Sequence, residues 1–117
     1  KLFCLISVFF SFSAYGACEY PRKAEIPNGT TSTSDEFMAG YQAVRQWIKD
    51  INEYRDCVDK ETDTMIQVLK DSEQHTPEAE ATIIEHQDKK YNAAVEDEQK
   101  VAELLNIEVR AYKAKEQ

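Results

Sequence analysis

After residue 40, this chain contains almost no residue that would interrupt a helix. Gly40 is the last glycine, and Pro77 is the only proline beyond Pro27. Glycine and proline are the residues that most disfavour a helix interior, whereas the glutamate, lysine, alanine and glutamine that are abundant here favour it. The sequence therefore predicts an all-α fold of long helices with one break near Pro77.

The first predicted helix carries an apolar seam with a seven-residue repeat. Thr33 and Glu36 have the spacing of a capping box, so this helix should run from about residue 35 to about residue 72. Steps of four and three residues keep side chains on one face, as in a coiled coil. The seam comprises Phe37, Tyr41, Val44, Ile48, Ile51, Val58, Met65 and Leu69, with Arg55 and Thr62 as polar members and Trp47, Tyr54, Ile66 and Val68 beside it.

A second helix should follow from about residue 77 to about residue 115. Thr76 suits the N-cap position and Pro77 the first helical position. A connection this short predicts an antiparallel hairpin, with Phe37 opposite the region of Tyr112. The seam of this helix comprises Ile84, Tyr91, Val95, Ala102, Leu105, Val109 and Tyr112, with Asp88 and Glu98 as polar breaks.

Residues 17–33 have a different character from the helices that follow. They contain two prolines, the turn sequence Asn28-Gly29 and a run of threonine and serine, which together indicate an extended segment without regular structure. We call this segment the strap. The predicted organisation is therefore a strap over 17–33 and a helical hairpin domain over 34–117.

Residues 1–16 have the features of an export signal. A basic first residue is followed by the apolar run 2–12, which is shorter than the about 20 residues of a membrane-spanning helix and fits a secretory signal. Small residues at Ala14 and Gly16 precede a cleavage site before Ala17. The sequence predicts a periplasmic or secreted protein with no membrane contact after cleavage.

Two cysteines remain after the leader, Cys18 and Cys57. An even pair in an oxidising compartment is expected to form a disulfide. An extended segment after Cys18 is long enough to fold back along the first helix and reach Cys57. Two alternatives stay open at this point: a lipid on Cys18 after a cut in front of it, or two free thiols.

The chain is strongly acidic, with 14 Lys and Arg against 22 Asp and Glu. Nucleic-acid binding depends on clustered basic residues, and anionic membrane surfaces repel acidic chains, so neither is a predicted partner. The sequence contains no serine in a nucleophile-elbow context and no glycine-rich phosphate loop, and its carboxylates are spaced as on solvated helix faces. We therefore expect neither enzyme activity nor a cofactor.

The two histidines, His75 and His86, do not have the spacing of a zinc or di-iron site. The predicted set of metal-binding residues is accordingly empty. The alternative function is an acidic carrier that binds a ligand or metal through carboxylates and one of these histidines.

A two-helix hairpin leaves much of each apolar stripe in water, and this one carries many aromatic side chains. The strap, a second copy or another protein must cover them. We expect either a homodimer that forms a four-helix bundle or an unidentified protein partner, and thus a non-enzymatic interaction or structural protein. The predicted partner-binding residues are Tyr41, Trp47, Tyr54, Tyr91 and Tyr112.

Short motifs add a resemblance over roughly residues 18–60. The sequences Cys18-Glu-Tyr-Pro21 and Ile26-Pro-Asn-Gly29, followed by Tyr54-x-x-Cys57 in the first helix, resemble small exported helical proteins of Gram-negative bacteria that carry no assigned activity. The resemblance implies a periplasmic setting and a bridge between the two cysteines. It implies no particular function.

Overall fold

The chain folds into two long helices, seen in a computed structural model that describes residues 17–115. Helix α1 spans Ser34–Asp71 and helix α2 spans Pro77–Lys115, and the two pack against each other. Residues 17–115 contain no strand, so this part of the chain is the all-α hairpin that the sequence predicts. Helix α1 begins and ends one residue earlier than predicted. The predicted signal at 1–16 lies outside the described residues.

Local hydrogen bonds set the ends of both helices. The Thr33 hydroxyl accepts from the Glu36 N–H at 3.2 Å, and the Glu36 carboxylate accepts from the Thr33 N–H at 3.0 Å, which completes the predicted capping box. At the start of α2, the Thr76 hydroxyl accepts from the Ala79 N–H at 3.1 Å. Helix α1 ends where Glu73 adopts a left-handed backbone with φ 58°. Neither helix has a stretch long and apolar enough to cross a membrane.

The core lies along the line where the two helices meet. Residues spaced by seven on α1 are fully or nearly fully buried, and they face a matching apolar column on α2. At the open end of the hairpin, the rings of Phe37 and Tyr112 stack with centroids 4.2 Å apart, which confirms the predicted register. The two facing columns are Phe37, Val44, Ile51 and Val58 on α1 and Ala94, Val101 and Leu105 on α2.

The predicted seams are wrong at several positions. Met65 on α1 and Ile84 on α2, which they placed in the core, are exposed. Tyr41 and Ile48, which they placed in the core, are only half-buried, whereas Trp47 and Tyr54, which they placed beside the core, are buried. Trp47 and Tyr54 are buried because the strap lies on the side of α1 that carries them. A coiled-coil pattern considers contact with one partner helix, while α1 packs against two neighbours at once.

The strap runs over one side of the groove between the helices, antiparallel to α1. It begins beside the middle of α1, where Cys18 is bonded to Cys57, and ends at the open end of the hairpin. Its backbone is held by side chains of both helices: the indole N–H of Trp47 donates to the Pro21 carbonyl at 3.4 Å, and the Lys115 ammonium donates to the Ser32 carbonyl at 2.7 Å. The strap therefore acts as a third layer.

Two glycines allow the strap and the helices to approach closely. A Cβ on Gly29 would lie 2.1 Å from the carbonyl oxygen of Glu108 and 2.8 Å from the backbone nitrogen of Tyr112. A Cβ on Gly40 would lie 2.6 Å from the Cβ of Pro27. Real Cβ atoms do not come this near to other atoms, so the seated strap requires glycine at both positions.

The disulfide closes a large loop. Cys18 and Cys57 are 39 positions apart in sequence, and their Cα atoms are 5.8 Å apart. A crosslink over a loop of this size stabilises the fold by roughly 3–4 kcal/mol, chiefly by restricting the unfolded chain. For a domain of about 100 residues, whose core is modest, that is a large share of the total stability.

We expect the double substitution Cys18→Ser with Cys57→Ser to lower the free energy of unfolding by about 3 kcal/mol. Urea titration followed by the fluorescence of Trp47, the single tryptophan, measures the change. The unsubstituted protein treated with a thiol reductant is the matched control and should show the same loss. An unchanged urea midpoint in both samples would contradict the structural role of the bond.

We expect Gly29→Ala to destabilise the protein by about 1–3 kcal/mol, because the new methyl group overlaps backbone atoms of α2 that cannot move independently. Thr31→Ala is the control, since the Thr31 side chain is exposed and only its backbone N–H bonds to Asn28. Thermal unfolding compares the two variants. Equal melting temperatures would show that the strap does not sit against α2 as described.

Candidate interaction surface

The helix pair has two unlike sides, set by neighbouring columns of residues on α1. The column Gly40, Trp47, Tyr54 and Glu61, spaced by seven, faces the strap. The column one residue further along the chain projects about 100° away, on the other side of the core. We call that other side, which the strap leaves uncovered, the open face.

Two of the five predicted partner-binding residues lie beneath the strap. Trp47 is 2% exposed and Tyr54 is 9% exposed. Tyr20 of the strap packs edge-on against the Tyr54 ring, with centroids 4.9 Å apart. The strap covers both side chains. While the strap is in place, their accessible surface is too small for direct contact with a partner.

The other three predicted residues remain half-buried. Tyr112 stacks on Phe37 at the open end of the hairpin, so its main contact is internal. Tyr41 lies on the open face, where the Arg45 guanidinium sits 5.8 Å from the centre of its ring. Tyr91 lies on the same face further along α2. The open face thus keeps two of the five predicted aromatic side chains.

A shallow groove of about 550 Å³ runs along the open face between the helices. Its floor is apolar, and its rim carries charged and amide side chains, an arrangement typical of the surfaces that bind other proteins. The floor comprises Tyr41, Ile48, Ala102 and Leu105, and the rim comprises Arg45, Lys49, Asn52, Glu53, Asp56 and Asn106.

One ion pair joins the helices on the open face. The Arg55 guanidinium contacts the Glu98 carboxylate at 2.8 Å and lies 5.6 Å from the centre of the Tyr91 ring. The Arg55 Nε is buried and has no hydrogen-bond partner among the described residues. Both side chains are about one-fifth exposed, so the pair is partly shielded from water and fixes the register of the helices here.

Glu61 is the polar centre of the strap side. Its carboxylate accepts from the Gln87 amide at 2.8 Å, from the Lys90 ammonium at 2.9 Å and from the Cys18 N–H at 3.2 Å. Gln87 is 2% exposed, so this contact also satisfies the buried amide of Gln87. The bonds from Gln87, Lys90 and Cys18 outweigh partial burial and hold the pKa of Glu61 below its usual range.

A second polar contact attaches the strap to α2. The Tyr20 hydroxyl donates to the Asp97 carboxylate, and the Lys23 ammonium lies 3.6 Å from the other oxygen of Asp97. Burial, followed by the hydrogen bond and the negative charge of Asp97, raises the pKa of Tyr20 far above its ordinary value. The phenol therefore stays protonated and acts as a structural donor.

The histidines have ordinary polar neighbours. His75 contacts Glu80 at the connection between the helices, and His86 contacts Gln87. Within 17–115, no group of three or more His, Cys, Asp or Glu side chains is placed to hold a metal ion. The alternative prediction of a metal carrier gains no support from this part of the chain.

The sequence reading missed the residues that seat the strap. A search for apolar periodicity passes over these residues, because none of them has a large apolar side chain. They are Gly40, Glu61 and Gln87. A signal was present in the seven-residue spacing of Gly40, Trp47, Tyr54 and Glu61, but their chemistry is mixed and only the strap gives the column a common role.

No protein family, curated protein or solved structure matches this chain.

We expect the stability to fall as the pH drops through the lowered pKa of Glu61. A carboxyl whose pKa is lower in the folded than in the unfolded state contributes stability above its unfolded pKa, about 4.3, and loses it progressively below that. Glu61→Gln removes the charge, so its unfolding free energy should be about 1 kcal/mol lower at pH 7 and should decline less below pH 4.

Urea titrations of the two proteins between pH 7 and pH 2 give both quantities. Glu103→Gln is the matched control, because Glu103 is exposed on α2 and makes no described hydrogen bond. Parallel pH profiles for the unsubstituted protein and Glu61→Gln would show that Glu61 does not join the strap to the helices through its charge.

Proposed function

We propose that this is a non-enzymatic exported protein that binds another protein chain, either a different protein or a second copy of itself, through the open face. The observation that carries the proposal is the one-sided cover of the hairpin. The strap buries the aromatic side chains on one side, while the groove beside Tyr41 and Ile48 on the other side remains uncovered.

The chemistry of the groove supports a protein partner. An apolar floor with a rim of both charge signs suits another amphipathic helix, which buries its apolar stripe and pairs its polar flanks. The groove is long and shallow, whereas sites for small molecules are usually enclosed. The Arg55–Glu98 pair keeps the two helices in a fixed register beneath it, so the surface is already formed before a partner arrives.

The disulfide and the predicted leader support an exported setting. Disulfides persist in oxidising compartments such as the periplasm and the extracellular space. A bond that retains the strap keeps Trp47 and Tyr54 covered, while the apolar floor of the open-face groove stays uncovered. On this proposal the strap stabilises the protein, and the open face binds.

In-cell photocrosslinking tests the proposal directly. A photoreactive amino acid at Asn106, on the rim of the groove, should form covalent adducts with a protein of defined mass in cells that produce the chain naturally. The same amino acid at Glu103, which is also exposed on α2 but lies outside the groove, is the matched control and should form few.

The contrast between the two positions carries the conclusion. Adducts at Asn106 that are at least about tenfold more abundant than at Glu103 correspond to about 1.4 kcal/mol of preference and support the open face as the binding surface. Equal yields at the two positions, or no adduct at Asn106, would refute it.

A further inference from the structure

A narrow stripe of exposed polar residues runs along α1 at the edge of the open face. Its members follow one another in steps of three and four, so they share one side of the helix. They are Arg45, Lys49, Asn52, Asp56 and Asp59, and every one is exposed. The charge changes sign along the stripe: it is positive before Asn52 and negative after it.

These charges form no close ion pair within the described chain, although Glu53 and Lys60 lie one turn after Lys49 and Asp56. Lys49, Asp56 and Asp59 form no ion pair among residues 17–115, and Arg45 interacts only with the ring and hydroxyl of Tyr41. The ion pairs of this part of the protein lie elsewhere, between the helices, on α2 or on the strap. The charges of the stripe are therefore available to an external partner.

The stripe is complementary to itself when reversed. If two copies of α1 lie antiparallel about a two-fold axis at Asn52, Arg45 meets Asp59 of the other copy, because both are equally far from the axis. Lys49 meets Asp56 to within one residue. Asn52, an uncharged residue, lies at the axis, where its amide donates to the Ile48 carbonyl and accepts from the Arg55 guanidinium of its own chain.

The axis also coincides with the middle of α1. Asn52 lies at the centre of Ser34–Asp71, so the two copies overlap along the whole helix. A self-complementary patch in which residue i meets residue j and j meets i is the requirement for a two-fold dimer.

We propose that a second copy of this chain binds along the edge of the open face, through antiparallel pairing of the two α1 helices about Asn52. This inference rests on the proposed function and names its partner. The pairing places the grooves of both copies on the same side of the dimer, with the two α2 helices beside them, and gives a four-helix assembly that carries a strap on each outer side.

The dimensions suit a weak, specific dimer. Helix α1 has 38 residues. A strip about 57 Å long and about 10 Å wide buries roughly 1,100 Å² over both copies, close to the about 1,000 Å² that a specific interface needs. The formal net charge of −8 opposes association. At physiological salt, charges further apart than about 8 Å are largely screened, so the directly opposed pairs outweigh it.

Charge reversal gives a sharp test by analytical ultracentrifugation of the purified, oxidised protein. The unsubstituted protein should sediment as a dimer whose fraction rises with protein concentration. Arg45→Glu with Lys49→Glu makes the stripe wholly negative, and Asp56→Lys with Asp59→Lys makes it wholly positive. Each variant should bind itself at least about tenfold more weakly, and an equimolar mixture should form a heterodimer at least as readily as the unsubstituted protein dimerises.

Glu96→Lys with Glu103→Lys is the matched control. It changes the net charge by the same amount as the Asp56 and Asp59 substitutions, at exposed positions on the outer side of α2. It should still dimerise. Circular dichroism confirms that each variant is helical. A monomeric unsubstituted protein, a mixture of variants that stays monomeric, or a control that loses dimerisation would each overturn the proposal.

The crosslinking at Asn106 separates this inference from the proposed function. Adducts with the mass of two copies of this chain support both. Adducts with a different protein keep the proposed function and overturn the dimer. The absence of any adduct at Asn106 overturns the proposed function itself.

Discussion

The strap is the contact on which the rest of the molecule depends. Two helices by themselves meet along one line, and each leaves the greater part of its apolar stripe in water. Here the strap lies in the groove beside that line and buries Trp47 and Tyr54. Its seating needs a covalent bond at Cys18, close approach at Gly29 and a shared carboxylate at Glu61. Losing any of these weakens the same layer.

The strap also decides which side of the hairpin stays uncovered. A covered side and an open side are otherwise similar, because both flank the core and both carry tyrosines. Because the strap covers only one of them, the two sides of the helix pair differ, and the open face is the side that remains exposed. Tyr41 and Tyr91 remain on the open face, and the Arg55–Glu98 pair below them fixes the spacing of the helices. On the proposed function, binding and stability are thus assigned to opposite sides of the core.

Charge at the edge of the open face can favour one orientation of a neighbouring helix over the other. The apolar floor of the groove attracts many partners without preference, because burial of apolar surface is not directional. The change of sign at Asn52 adds a preference for one orientation, since an antiparallel neighbour meets opposite charges and a parallel one meets like charges. A weakly apolar groove with a polar stripe of this kind favours selectivity over tight binding.

Much of this architecture could be predicted from local sequence. The capping box of Thr33 and Glu36, the break at Pro77 and the pairing of Phe37 with Tyr112 depend on neighbouring residues or on counting along two helices, so they are legible without a fold. The sequence did not predict which side of each helix is covered. Whether Trp47 or Tyr41 is buried depends on where the strap lies. The contacts of Glu61 with Gln87 and with Cys18 join residues 26 and 43 positions apart. The sequence by itself determined two long helices and made a bond between Cys18 and Cys57 the expected one, with a lipid or free thiols as alternatives. Only the tertiary structure decided which side is covered, because the strap lacks any periodic pattern and its path is set by long-range contacts.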